Sequence, residues 1–159
     1  MNCSKGVCYL DKSMNNNNNN NNDEIKKQEQ KIKLLKEFQS QLVGFMDELI
    51  EQFPNVSEFV IGRIFIKDQI PAQDLLGRFI RDLLPLKEQI EKRDENFFLQ
   101  NSLLYTKGNV SSERIDKFKE LWMSKDLDKE DREVIWKWMD VFVQVASKYH
   151  KNFGNIEGW

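Results

Sequence analysis

Residues 31–53, KIKLLKEFQSQLVGFMDELIEQF, decide the fold class of this chain. Apolar side chains recur there at steps of three and four, which places them on one face of a helix. This apolar stripe consists of Ile32, Leu35, Phe38, Leu42, Phe45, Met46, Leu49 and Phe53. Asp23 and Glu24 suit a helix N-terminus electrostatically, and Pro54 ends the helix. The sequence therefore predicts one amphipathic helix of about thirty residues directly before Pro54.

A run of eight asparagines, residues 15–22, precedes this helix. Such a tract buries no apolar surface, and its side chains compete for backbone hydrogen bonds. We therefore predict a disordered arm over residues 1–22 and a single helical domain over residues 23–159. The tract could serve as a prion-like assembly element, although eight residues are short for that role, or it could be a plain repeat expansion.

The next segment, residues 56–70, is VSEFVIGRIFIKDQI and is rich in β-branched side chains. That composition suits a strand, but no second strand pattern is near enough to pair with it. We therefore predict a short buried helix with Ser57 as its N-cap. Pro71 suits the first position of the following helix. The apolar positions of that helix are Leu75, Leu76, Phe79, Ile80, Leu83 and Leu84.

Residues 82–101, DLLPLKEQIEKRDENFFLQN, contain a proline followed by a dense run of charges. Pro85 is expected to end one helix and begin another, whose buried side carries Leu86 and Ile90. Phe97 and Phe98 are expected to return to the core. The charged positions either form the solvated face of this helix or supply paired carboxylates for acid–base chemistry. A solvated face is favoured, because no histidine, nucleophile or glycine-rich loop accompanies them.

The C-terminal part of the chain predicts two more helices after a loop at residues 106–112. Ser111 or Ser112 is expected to cap the first helix. Asp128 is expected to cap the last helix, which has His150 and Lys151 in its final turn and Gly154 just beyond it. The fold class predicted from the whole pattern is all-α, a compact bundle of about six helices with a disordered Asn-rich arm.

Composition excludes several classes of function. The formal net charge is -2, so no basic field for nucleic acid is indicated. The only histidine is far from the two cysteines, Cys3 and Cys8, so no metal site is predicted. No apolar run is long enough to span a membrane, and a cytoplasmic location is expected. No nucleotide-binding or catalytic motif is present, so neither a catalytic residue nor a cofactor is predicted.

Four tryptophans form the most prominent aromatic set: Trp122, Trp136, Trp138 and Trp159. They serve either as core anchors or as a partner-binding face, since tryptophan is common in both places. Trp138 falls on the buried stripe of the last helix, and Trp136 falls beside it, where it is expected to be partly exposed.

Two segments resemble short, uncharacterised proteins of nucleocytoplasmic large DNA viruses of the mimivirus type. They are LLPLKEQIEKRDENFFLQN, residues 83–101, and FKELWMSKDLDKEDREVIWKWMDVF, residues 118–142. The matching positions are Pro85, Lys87, Ile90, Arg93, Asp94, Glu95, Phe97, Phe98, Leu121, Trp122, Ser124, Ile135, Trp136 and Lys137. The resemblance implies a helical viral protein, and it supplies no catalytic residues.

Taken together, these features predict a non-enzymatic helical interaction protein or virion-associated protein. The alternative is an adaptor that grips a host or viral partner in an apolar groove. The residues predicted to contact a protein partner are Arg93, Asp94, Glu95, Trp122 and Trp136. The partner is not identified by the sequence, and the oligomeric state is left open.

Overall fold

The computed structural model of the protein describes residues 5–100 and 112–156. Within these ranges the chain is helical and contains no strand, which confirms the predicted all-α fold. The elements are α1 (Lys5–Gln52), α2 (Ser57–Ile64), a π-helical turn (Phe65–Gln69), α3 (Ala72–Asp82), a 3-10 turn (Leu84–Leu86), α4 (Lys87–Glu91), α5 (Glu95–Gln100), α6 (Ser112–Met123) and α7 (Lys129–Phe153).

Helix α1 is the long helix that the opening stretch predicts, but its buried stripe differs at the start. Leu34 is buried, whereas Ile32 is exposed, so the stripe follows the four-residue steps Leu34, Phe38 and Leu42. Because a helix has 3.6 residues per turn, residues at a fixed spacing of three or four move gradually around its circumference. Packing against the other helices then decides which of them are buried.

The part of the predicted Asn-rich arm whose exposure the structure describes, residues 18–22, lies outside the core. Residues 18–30 are exposed throughout, including the last five asparagines of the tract. The structure differs from a coiled arm in one respect, because the backbone of α1 continues as a helix from Lys5. Adding a residue to an existing helix requires no new nucleation, so the packed part of α1 is able to propagate helix into the arm.

The largest core cluster lies where α1, α3 and α7 meet. Helix α1 packs most extensively against α7. Phe142 on α7 is fully buried, and its ring lies 6.1 Å from that of Phe38 on α1 and 5.6 Å from that of Phe79 on α3. Edge-to-face ring pairs of this kind add to the apolar burial that holds the three helices together.

Two smaller clusters complete the core. One is centred on Met46, Phe53, Phe59 and Leu127, at the end of α1 next to α2. The other is formed by Ile90, Trp136 and Val143, between α4 and α7. Trp122 on α6 packs against both, so it connects the two smaller clusters.

Several predicted helix boundaries are shifted by one residue. Val56 is the N-cap of α2, Ser57 is its first residue, and no side chain caps this end, so the predicted Ser57 cap is wrong. Pro71 is the N-cap of α3 rather than its first helical residue. Its backbone is extended, at φ -58° and ψ 138°, and its carbonyl accepts the first bonds of the helix. Proline tolerates this position because an N-cap needs no donated backbone bond.

The ends of α7 agree with the prediction. The Asp128 carboxylate accepts from the Asp131 backbone N–H at 2.8 Å, and the Asp131 side chain accepts from Asp128 in return, which forms a capping box. Gly154 ends the helix at φ 76°, a left-handed conformation that glycine adopts without steric cost. The chain then turns back so that Ile156 is buried in the largest cluster.

The predicted order of burial for two tryptophans is wrong. Trp136 is buried at 9% exposure, whereas Trp138 is only partly buried. Trp138 lies over Gly44 of α1, and its Nε1 donates to Glu48 at 2.7 Å, which holds the indole at the edge of the core. Trp159, Cys3, Ser111 and most of the predicted loop at residues 106–112 lie outside the described residues.

Candidate partner-binding surfaces

The sequence predicts a partner site at Arg93, Asp94 and Glu95, and the structure places these residues at the joint between α4 and α5. Arg93 N–H donates to Ile90 O at 3.1 Å, and Asp94 N–H donates to Gln89 O at 3.0 Å. These two bonds form a Schellman motif, which ends a helix with a left-handed residue. Arg93 is that residue, with φ 54°, where glycine is the usual choice.

The side chain of Arg93 compensates for its unfavourable backbone conformation. Its guanidinium forms a bidentate pair with Asp140 on α7 at 2.8 and 2.7 Å, and a second ion pair with Glu133 at 3.3 Å. It also lies 5.8 Å from the centre of the Trp136 ring. The hydrogen bonds to Asp140 raise the pKa of Arg93 above its ordinary value. The bidentate pair with Asp140 requires a planar fork of N–H donors, and lysine has no such fork.

The remaining predicted residues are also engaged in internal contacts. Asp94 Oδ1 accepts from the Phe97 backbone N–H at 3.1 Å and so caps α5. Glu95 accepts a hydrogen bond from Trp122 Nε1. The Trp122 and Trp136 rings meet edge to face with centroids 5.6 Å apart. The five residues therefore come together in space, but as a joint that fixes α5 and α6 to α7.

A shallow polar groove of about 480 Å³ lies beside this joint, between α4 and α7. Its lining includes Lys87, Glu91, Arg93 and Asp140. Arg93 and Asp140 already bind one another there, and the lining carries both signs of charge. A partner that bound Arg93 or Asp140 would have to break the existing ion pair between them, so the groove is a poor binding site. Binding of a partner at the five residues stays a prediction.

Two substitutions of Arg93 separate the free-energy cost of its left-handed backbone from the stabilisation that its side chain provides. We expect Arg93→Ala to lower the free energy of unfolding by about 1–2 kcal/mol, because the bonds to Asp140 and Glu133 are lost at a partly exposed site. Arg93→Gly loses the same bonds but removes the left-handed strain, so we expect it to be more stable than Arg93→Ala by about 1 kcal/mol. Urea unfolding of the two variants measures the difference. Equal stability of the alanine and glycine variants would contradict the assigned backbone conformation.

A second surface is formed by apolar side chains on α2, the π-helical turn and α6. Among the described residues, five large apolar side chains there are 41–51% exposed. They are Val60, Ile61, Ile64, Phe65 and Phe118, and we call them the α2–α6 apolar face. Helix α2 buries only Phe59, while its apolar residues Val60, Ile61 and Ile64 are exposed. An amphipathic helix normally turns its apolar residues toward the core and its polar residues toward solvent.

A groove of about 450 Å³ runs along this face between α2 and α6. Its lining includes Ile61, Phe65 and Phe118 of the α2–α6 apolar face, together with Phe59, Gly62 and Leu121. A Cβ at Gly62 would lie 3.1 Å from Met46 Cε, so glycine lets α2 approach α1 without displacing the Met46 side chain. The groove is of the size that pockets in proteins commonly have.

The charges around the α2–α6 apolar face are paired within the molecule. Lys117 Nζ lies 2.7 Å from Glu58 Oε1, and Arg63 pairs with Asp47. The hydrogen bond from Lys117 lowers the pKa of the Glu58 carboxyl. Each pair is neutral, so this surface attracts an apolar partner rather than a strongly charged one.

The π-helical turn sets which side chains reach this face. Ile70 N–H donates to Phe65 O at 2.8 Å, which is the five-residue step of a π turn. Gln39 Nε2 on α1 donates to the carbonyls of Ile66 and Lys67 at 3.1 and 3.2 Å. Gln39 thus satisfies acceptors at the widened turn and anchors it to α1, while Phe65 remains half exposed. Single π turns of this kind are frequent at functional sites.

Sequence reasoning missed this face because it predicted that residues 56–70 form a buried helix. The signal was present, since VIGRIFI has too few polar side chains to provide a solvated face. Periodicity does not distinguish a helix covered on all sides by its own chain from one whose outer side is left uncovered.

Within the described residues, no group of three or more His, Cys, Asp or Glu side chains is placed to hold a metal ion. In the same part of the chain, every helix is too short or too polar to cross a membrane.

Comparison with protein-family models, with curated proteins and with solved structures found no match to this chain. The resemblance to proteins of large DNA viruses therefore stays a prediction, and the surfaces described above carry the functional argument.

Proposed function

We propose that the protein is a non-enzymatic helical interaction protein that binds a protein partner through the α2–α6 apolar face. The observation that carries this proposal is the exposure of five large apolar side chains on this face, three of which, Ile61, Phe65 and Phe118, line a groove. Solitary exposed apolar residues are normal on proteins, but contiguous patches rimmed by polar residues mark interaction sites. This is the groove-binding alternative that the sequence leaves open.

The size of the face supports a protein partner. A half-exposed aromatic side chain presents about 100 Å² of surface, so the five side chains together present roughly 400–500 Å². One side of a standard protein–protein interface buries about 800 Å², of which a little over half is apolar. The face therefore supplies the apolar share of one such interface, and the neutral ion pairs around it supply a polar rim.

A role in the virion of a large DNA virus is a narrower form of the same proposal. It is motivated only by the sequence resemblance at residues 83–101 and 118–142. Detection of the protein in purified particles would support it, and the binding face itself does not depend on it.

A photo-crosslinking experiment tests the proposed binding face. A benzophenone amino acid is placed at Ile61 or, as the control, at Ile32, which has nearly the same exposure, 51% against 49%, but lies on α1 away from the face. We expect discrete protein adducts after irradiation of native cells when the probe is at position 61, and none at position 32. Absence of adducts from position 61, or the same adducts from both positions, would contradict the proposal.

A further inference from the structure

We propose that the partner of the α2–α6 apolar face is a second copy of this chain, related to the first by a two-fold axis. This inference rests on the proposed function, because it names the occupant of the same face. A two-fold interface uses one patch on both copies, so the patch must be complementary to itself. The shape, charge and area of the face meet that requirement.

The shape is self-complementary because projecting and receiving parts lie side by side. Phe65 and Phe118 belong to the lining of the groove, and each is 50% exposed, so half of each ring remains open to a second copy. The groove lined by Phe59, Gly62 and Leu121 has room for an aromatic ring at about 450 Å³. A two-fold rotation places the projecting ring of each copy opposite the groove of the other, so one contact is made twice.

The charges permit two identical surfaces to meet. The two charged groups that line the groove, Glu58 and Lys117, form a neutral pair, and Arg63 on α2 forms another with Asp47. Identical patches with an unpaired charge would bring like charges together, which costs several kcal/mol. The chain as a whole has a net charge of only -2, so long-range repulsion between copies is small.

The apolar area of the face determines how strongly the two copies are expected to associate. Each copy contributes the apolar share of a standard interface and little beyond it, which is typical of reversible rather than obligate association. We expect a dissociation constant on the order of 1–100 µM, so that monomer and dimer exchange in dilute solution.

Sedimentation equilibrium of the purified full chain tests the inference. The protein concentration runs from about 1 to about 300 µM, so that it spans the expected dissociation constant. We expect a concentration-dependent monomer–dimer equilibrium. Ile64→Glu places a carboxylate within the face and is expected to raise the dissociation constant at least about thirtyfold, because the interface would bury an unpaired charge. Ile25→Glu makes the same change at a residue of similar exposure, 55% against 49%, on α1, and is expected to change the dissociation constant less than about twofold. Circular dichroism checks the fold, and Phe118→Lys serves if Ile64→Glu does not fold.

The outcomes separate this inference from the proposed function. A wild-type chain that stays monomeric throughout, or a dimer that Ile64→Glu leaves intact, overturns the second copy as partner. If position 61 then still crosslinks to a different protein in cells, the proposed binding face stands without the dimer. A dimer lost in Ile64→Glu and kept in Ile25→Glu supports both.

Discussion

Replacing Phe142 by alanine is expected to lower the free energy of unfolding by about 3–5 kcal/mol. Phe142 is fully buried and contacts aromatic rings of both α1 and α3, the two helices that meet α7 in the largest cluster. Removing its ring loses the transfer free energy of the side chain and leaves a cavity that rigid neighbours fill only in part. That loss is a large fraction of the stability of an ordinary domain. Urea unfolding followed by circular dichroism gives the value.

The matched control is Phe65→Ala, which removes the same side chain from a half-exposed position. We expect a loss of less than about 1 kcal/mol when it is measured at submicromolar concentration, where the monomer predominates. Similar losses for Phe142→Ala and Phe65→Ala would contradict the assignment of Phe142 to the centre of the core.

Trp136→Ala is expected to cost about 3–5 kcal/mol, while Trp138→Ala costs clearly less. Trp136 packs on Ile90 and Val143, meets the rings of Phe98 and Trp122 at 5.6 Å, and lies beneath Arg93. Trp138 keeps one edge near solvent, where its Nε1 donates to Glu48. Thermal or urea unfolding of the two variants decides the order.

The spacing of apolar residues predicts the reverse order for these two tryptophans, which makes the comparison informative. A larger loss for Trp138→Ala would show that the simple helical stripe is right and that Trp136 lies at the surface. A double-mutant cycle of Trp136→Ala with Arg93→Ala adds detail, since a cation–π contact of this kind predicts a coupling of about 0.5–2 kcal/mol.

The all-α fold and the ends of α7 could be predicted because local chemistry determines them. The stripe before Pro54, the Asp128 cap and Gly154 each depend on residues within a few turns of one another. The joint at Pro85 could be predicted for the same reason, because a proline constrains its own segment wherever that segment is placed. Ile90 is buried at 1% exposure, as its position on the inner side of this joint predicts.

The candidate binding face and the role of Arg93 depend on contacts between distant parts of the chain. Arg93 pairs with Asp140, 47 residues further along the chain, and nothing near Arg93 in the sequence indicates that partner. The left-handed backbone of Arg93 could not be predicted from the sequence either, because glycine or asparagine, and not arginine, usually indicates such a position. The α2–α6 apolar face arises because α1 covers one side of α2 and leaves the other side uncovered, which tertiary packing alone decides.

The pairing of α1 with α7 has a consequence for biosynthesis. Phe38 and Phe142 belong to one cluster, yet they lie at opposite ends of the described chain. At about 5–20 residues per second, a ribosome needs roughly 5–20 s to synthesise the segment between them. During that interval the apolar stripe of α1 has no α7 to pack against. We therefore expect the nascent chain to be a chaperone client, and the folding rate to be limited by the late arrival of the last helix.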